Sequence, residues 1–151
     1  ELIMSAEIFK QAIGLIEPRL ASGSGAPRGS VVIGTVKGDI HDIGKNIVAT
    51  LLRCGGYEVH DLGVDIPADA FVRKLKETGA PVLALSGLLT LAFDSMKETV
   101  DSLAEAGLRG RVKVIIGGGP VNDKVVEYSG ADAWGMDASQ AVKLVGQFVG
   151  P

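Results

Sequence analysis

From Gly29 onward the chain alternates a short apolar, β-rich run with a segment of helical period, five times in succession. This alternation restricts the fold more than any other feature. A strand followed by a helix and then another strand is the unit from which parallel sheets are wound. The strand-like runs are Ser30–Val36, Tyr57–Asp61, Pro81–Ser86, Val112–Ile116 and Ala131–Trp134. Helical period covers Ile43–Cys54, Ala68–Thr78, Ala92–Ala106, Val121–Tyr128 and Ala138–Val149. Pro67 and Asp137 stand where helix starts are expected, and Gly55-Gly56, Gly79, Gly107 and Gly130 where helices stop. The first and third runs are almost continuously apolar, as strands are when helices cover both sheet faces.

The predicted fold is therefore α/β: a flavodoxin-like, doubly wound, five-stranded parallel sheet over residues 29–151. The first 28 residues stand outside the pattern. Leu2, Ile8, Phe9, Ala12, Ile13, Leu15, Ile16 and Leu20 form a helix-period apolar stripe, and Ala21–Pro27 reads as a flexible linker. A lone helix cannot bury its own stripe. Residues 1–28 are therefore expected to be the remnant of an upstream helical domain plus linker, with the stripe free to pair two copies of the chain; the alternative is a terminal helix that packs on the sheet domain itself.

Composition narrows the function classes. A net charge of −3 with interspersed signs lacks the basic footprint of a nucleic-acid binder and the basic run of a membrane-surface protein. The apolar stretch Pro81–Phe93 is too short to span a bilayer. The single cysteine, Cys54, excludes an internal disulfide and fits a cytoplasmic setting. Glycine is the unusual count, 21 of 151 residues, about twice the usual share of roughly 7%. Most glycines fall at segment junctions, where loops approach a ligand closely.

Ligands of open parallel sheets sit at the carboxyl ends of the strands, near the topological switch point. Three segments follow predicted strands one, three and four: Gly38–Asn46, Ser86–Thr90 and Gly117–Pro120. In the first, Asp39 and His41 are two residues apart. A carboxylate behind an imidazole fixes its tautomer and leaves the other ring nitrogen for a metal. Gly44 is expected to ease the turn into the next helix. The segment is not a phosphate-binding loop, since Gly38 to Gly44-Lys45 is one residue too long and Asn46 replaces the Ser/Thr. No second protein ligand for a metal is evident, which suits a metal that arrives already held by a macrocycle and asks for one axial ligand. Ser86 and Thr90 supply hydroxyls, and Gly117–Gly119 leave room for a bulky group.

Asp39-x-His41-x-x-Gly44, then Ser86-x-Leu88, then Gly117-Gly118, is similar to the signature of cobalamin-binding domains. Gly34–Asn46 most resembles the methyl-transfer branch, which includes cobalamin-dependent methionine synthase and small corrinoid proteins. The resemblance covers Gly29–Val149, and in that family a four-helix cap precedes the domain; Ile3–Leu20 looks like its last helix. It implies base-off cobalamin with His41 as the lower axial ligand of cobalt and Asp39 behind it. The backbone of Gly38, Asp39, Ile40, His41, Asp42 and Ile43 would run under the corrin. The displaced nucleotide tail would lie among Ser86, Leu88, Thr90, Gly117, Gly118 and Gly119, with Met136-Asp137-Ala138 at the rim. The pattern departs at Ala92, where methionine synthase has a serine completing a relay through Asp39.

The function so implied is a corrinoid methyl carrier, not catalytic without partners. It would work between a donor-specific methyltransferase and an acceptor methyltransferase (folate or thiol), with a reductive activator. The alternatives are the cobalamin domain of an adenosylcobalamin mutase and a cobalamin-dependent sensor. Valine at Gly117 or Gly118 is expected to block the tail and spare the fold.

Overall fold

A computed structural model of the chain describes residues 2–20 and 25–150. Helix α1 spans Leu2–Leu20, and strand β1 Ser30–Thr35 leads into α2 (Ile43–Cys54). Then come β2 (Glu58–Asp61), α3 (Ala68–Thr78), β3 (Val82–Ser86) and α4 (Ala92–Glu105). The domain closes with β4 (Lys113–Gly117), α5 (Asp123–Ser129), β5 (Ala133–Gly135) and α6 (Ala138–Val149). All pairings are parallel, in the order β2-β1-β3-β4-β5. The doubly wound, flavodoxin-like sheet is as the alternation predicts, and its switch point lies between β1 and β3.

Alternate residues of each strand feed two cores. Val32, Leu83, Val114 and Ile116 pack with Phe71, Met96 and Leu103 of α3 and α4. Val31, Ile33, Val82, Ala84 and Ile115 pack with Ala49, Leu52 and Val145 of α2 and α6. Phe71 is fully buried, a burial that contributes roughly 1.5–3 kcal/mol. Its ring edge leaves β1 no room for a side chain at Gly34, where a Cβ would sit 2.8 Å from Cε1.

Most boundaries fall within one residue of expectation, and the two that differ by two residues do so where side chains replace main-chain partners. Helix α5 begins at Asp123, since the Asn122 side chain accepts from Lys124 N and Val125 N and caps it. Strand β5 begins at Ala133, because the Asp132 carboxylate takes the Val114 N–H at 2.7 Å and pairs with Arg109. Asp137 caps α6 through Gln140 N, as expected.

Helix α1 packs along α2, and Lys10 Nζ lies 3.2 Å from Asp42 Oδ2. On its stripe Ile8 and Leu15 are exposed and Ile13 is half-buried. The side chains of Leu2, Phe9, Ile16 and Leu20 and residues 21–24 of the expected linker lie outside the described residues. No helix among the described residues is long and apolar enough to cross a membrane.

Beyond the carboxyl ends of β3 and β4 the two backbones nearly touch. Gly87 N donates to Gly117 O at 3.0 Å, and a Cβ at Gly118 would sit 1.7 Å from Gly87 O at a φ of +143°. Gly118 is therefore a packing requirement, which corrects the expectation that valine there spares the fold. At Gly117 the nearest atom to an added Cβ is Gly135 O, at 3.7 Å. Gly118→Ala is expected to cost about 3 kcal/mol, and Gly117→Ala to change stability by no more than about 1 kcal/mol. Denaturant unfolding followed by circular dichroism checks this; equal midpoints for the two variants would contradict it.

Candidate functional site

The loop after β1 lies at the switch point and is tied on three sides. Thr35, fully buried at the end of β1, donates its hydroxyl to His41 O at 2.8 Å. Asp65 accepts from Gly38 N at 2.8 Å and donates its own N–H to Asp39 O at 3.0 Å. Ser95 of α4 donates to Lys37 O at 2.8 Å. Gly38 turns the chain at a φ of +85°, a conformation that glycine adopts without a Cβ clash.

These ties place Asp39 out of water, with a side-chain exposure of 0%. Both carboxylate oxygens are occupied. Oδ1 accepts from His41 N at 2.9 Å and lies 2.6 Å from His41 Nδ1. Oδ2 accepts from Leu88 N at 2.6 Å and Leu89 N at 3.0 Å, across the switch point on the loop after β3. Burial alone would raise this carboxyl's pKa. The N–H groups of His41, Leu89 and Leu88, together with the His41 ring, outweigh it and hold Asp39 well below the usual carboxylate range. An ionised carboxylate only accepts, so His41 Nδ1 carries the proton that it donates.

The lone pair of neutral His41 is thereby assigned to Nε2, which has no partner among the described residues. The side chain is 48% exposed. An oriented imidazole with an open Nε2 has the chemistry to ligate a metal. Among the described residues no group of three or more His, Cys, Asp and Glu side chains could hold a metal ion. His60 pairs with Glu58, and Cys54 is half-buried at the end of α2. A metal here would have His41 as its protein ligand and would need the rest of its coordination from elsewhere.

Beside this loop a cleft of about 230 Å³ runs between the sheet and helices α2 and α6. Of the residues expected at the site, Gly44, Ser86, Gly117, Gly118, Gly119 and Ala138 line it, as do Met136 and Asp137. Leu88 and Thr90 are not among the lining residues: both are exposed on the β3–α4 loop, and Leu88 Cδ1 would lie 3.2 Å from a Cβ at Gly119. The role expected of Gly44 also changes. It lies within α2, and a Cβ there would meet nothing within 4 Å, so its smallness leaves space in the cleft and does not ease a turn. The Ser86 hydroxyl faces the cleft without a hydrogen-bond partner among the described residues.

Sequence reasoning missed the deeper lining. Ile33, Ala84 and Ile115 stand in register across β1, β3 and β4, one row below Ser86, Gly117 and Gly135. Val48 of α2 and Ala141 of α6 face them from the helical layer. Lys45 also lines the cleft, buried with its ammonium 2.6 Å from Asp61 Oδ2 and 2.7 Å from Asn46 Oδ1. The signal for the row is period-2 alternation counted back from the strand ends, which lies outside the loop motifs.

The carboxyl-end rim is apolar where it meets water. Ile40, Ile43, Leu88, Leu89, Leu91 and Met136 are between 42% and 74% exposed in a domain whose other large side chains are mostly buried. Exposed apolar side chains gathered in this way are the kind of surface at which ligands and partners bind. Ala92 carries no hydroxyl toward Asp39; the carboxylate oxygen left over by His41 is taken by the Leu88 and Leu89 N–H groups. Ala92 instead packs closely against Gly87, where a Cβ would lie 2.6 Å from its own.

The B12 binding domain family matches residues 29–143. A corrinoid protein of Desulfitobacterium hafniense is 42% identical over 153 residues, covering 99% of this chain and 71% of that protein. Dimethylamine corrinoid protein 3 of Methanosarcina acetivorans is 41% identical over 141 residues, covering 93% of this chain and 66% of that protein. A chain in the crystal structure of the methanol:cobalamin methyltransferase complex of Methanosarcina barkeri superposes with a TM-score of 0.78 at 34% identity, covering 97% of this chain and 56% of that one. The chain thus spans roughly two thirds of the length of the relatives it matches. It belongs to the B12 binding domain family, among the corrinoid proteins.

Proposed function

We propose that this chain is the cobalamin-holding part of a corrinoid methyl carrier, with cobalamin bound base-off and His41 as the lower axial ligand. The observation that carries the reading is the open Nε2 of His41, fixed by a buried carboxylate on the loop that runs into cleft-lining Gly44. The other residues fit the cofactor. The exposed apolar rim suits a broad macrocycle, and the cleft with its unpartnered Ser86 hydroxyl suits a displaced nucleotide tail. Bound cobalamin supplies a cobalt centre that accepts and releases a methyl group. The chain's own part is to present one nitrogen, keep its other nitrogen protonated toward Asp39, and seat the tail between Ser86, Gly117–Gly119 and Ala138.

The relatives named for dimethylamine and methanol systems support methyltransferases as partners. A carrier of this kind needs a donor-specific methyltransferase, an acceptor methyltransferase acting on a folate or thiol, and a reductive activator, all in the cytoplasm. The same relatives favour the carrier over an adenosylcobalamin mutase or a sensor. Helix α1 is read as the end of a helical cap, whose contact would bury the exposed Ile8 and Leu15; a second copy of the chain is the other occupant of that face.

His41→Ala should keep part of its cobalamin affinity through rim and cleft but lose the protein nitrogen. In the Co(II) electron paramagnetic resonance spectrum the nitrogen hyperfine splitting should disappear. Splitting unchanged from the wild type would contradict the assignment.

Asp39→Asn tests the clamp without cofactor. Whichever way the amide turns, its NH2 group faces either the Leu88 and Leu89 N–H groups or the His41 N–H. One buried donor pair is left unsatisfied, at about 2 kcal/mol, or roughly 4–8 °C in Tm for a chain of this size. Thermal unfolding of the cobalamin-free variant measures it, and an unchanged midpoint would show that the carboxylate does not hold the two loops.

A further inference from the structure

The chemistry of the cleft changes with depth, and the sheet register sets the order. The outer row, at the strand ends, is Ser86, Gly117 and Gly135, and it offers a hydroxyl. The inner row is Ile33, Ala84 and Ile115, with Val48 and Ala141 opposite, and it offers only hydrocarbon. The strand backbone at the inner row is committed to the parallel ladders on both sides. Of the polar side chains elsewhere in the lining, Lys45 is buried and engaged, and Asp137 is exposed at the start of α6 with one carboxylate oxygen engaged. Lys45 holds Asp61 and Asn46, and the Asp137 carboxylate accepts from Gln140 N at 2.8 Å. A flat ring pushed past Ser86 therefore meets a floor with no donor or acceptor to give.

Natural corrinoids differ in the base that ends the nucleotide tail. A benzimidazole has an apolar carbocycle and, beyond the glycosidic nitrogen, one ring nitrogen. An adenine carries several ring nitrogens and an exocyclic amine around its edge. In a dry apolar floor each of these needs a partner or loses its hydration uncompensated. We infer that the Ile33–Ala84–Ile115 floor makes the protein selective for corrinoids with an apolar benzimidazole-type lower base over those with a purine. The inference rests on the proposed seating of the tail in this cleft. It assigns to the inner row the choice of which corrinoid is carried, leaving retention of any tail to Ser86 and the glycines of the outer row.

The probes are hydroxocobalamin, its adenine-tailed counterpart, and cobinamide, which has no nucleotide tail. Binding to the cobalamin-free protein is read from quenching of Trp134, the chain's single tryptophan, which adjoins cleft-lining Gly135. Hydroxocobalamin should bind about 10- to 100-fold more tightly than the adenine form, the size expected of one or two unpartnered polar groups. It should also bind more tightly than cobinamide. If the two tailed forms bind equally and both exceed cobinamide, the tail is seated but the floor does not select, and the inference is overturned alone. An adenine form that binds more tightly than hydroxocobalamin overturns it likewise. If all three bind equally, the tail does not enter the cleft and the seating fails with it.

Discussion

The site depends on one buried carboxylate shared between two loops. Asp39 lies at the switch point, fully out of water, and an isolated charge there would be costly enough to neutralise itself. Four donors keep it ionised: two from its own loop through His41, and two from the β3–α4 loop through Leu88 and Leu89. The charge therefore fastens the loops to one another and dictates which nitrogen of His41 is free. The near-contact of Gly87 and Gly118 belongs to the same arrangement, since it sets the start of the loop that delivers the Leu88 and Leu89 N–H groups.

Around that fixed point the rest of the rim is left open. The large side chains that an isolated domain would bury, among them Ile40, Leu91 and Met136, stand in solvent. The cleft beside them owes its width to small residues on two layers, Gly117 and Gly135 from the sheet and Ala138 and Ala141 from α6. A rigid ligand on an open platform suits the proposed carrier, which would present its cargo to more than one enzyme. A buried pocket would suit a chain that performs the chemistry itself.

The sheet was legible in the sequence because both of its faces are covered, which makes each strand an apolar run and each crossover an amphipathic helix. The Asp39–His41 pair was legible because two residues of the right chemistry stood two positions apart after a strand. What stayed hidden depended on distances between segments. The Leu88 and Leu89 N–H groups carry no side-chain signature, so the missing hydroxyl at Ala92 looked like a gap in the site when main-chain donors fill the place. The floor of Ile33, Ala84 and Ile115 looked like ordinary core, and only the register of β1, β3 and β4 sets it beneath Ser86. Gly118 looked like spare room because the carbonyl it accommodates, that of Gly87, belongs to a distant segment of the chain.

The central claim is that Asp39 fixes the tautomer of His41, and ¹⁵N NMR of the imidazole tests it most directly. In cobalamin-free protein, at a pH where the ring is neutral, the account predicts the proton on Nδ1 and an unprotonated Nε2, with a coupling from Nδ1–H toward the Asp39 carboxylate. A His41 ring that carries its proton on Nε2 would contradict the account, because the nitrogen offered to a metal would then be blocked.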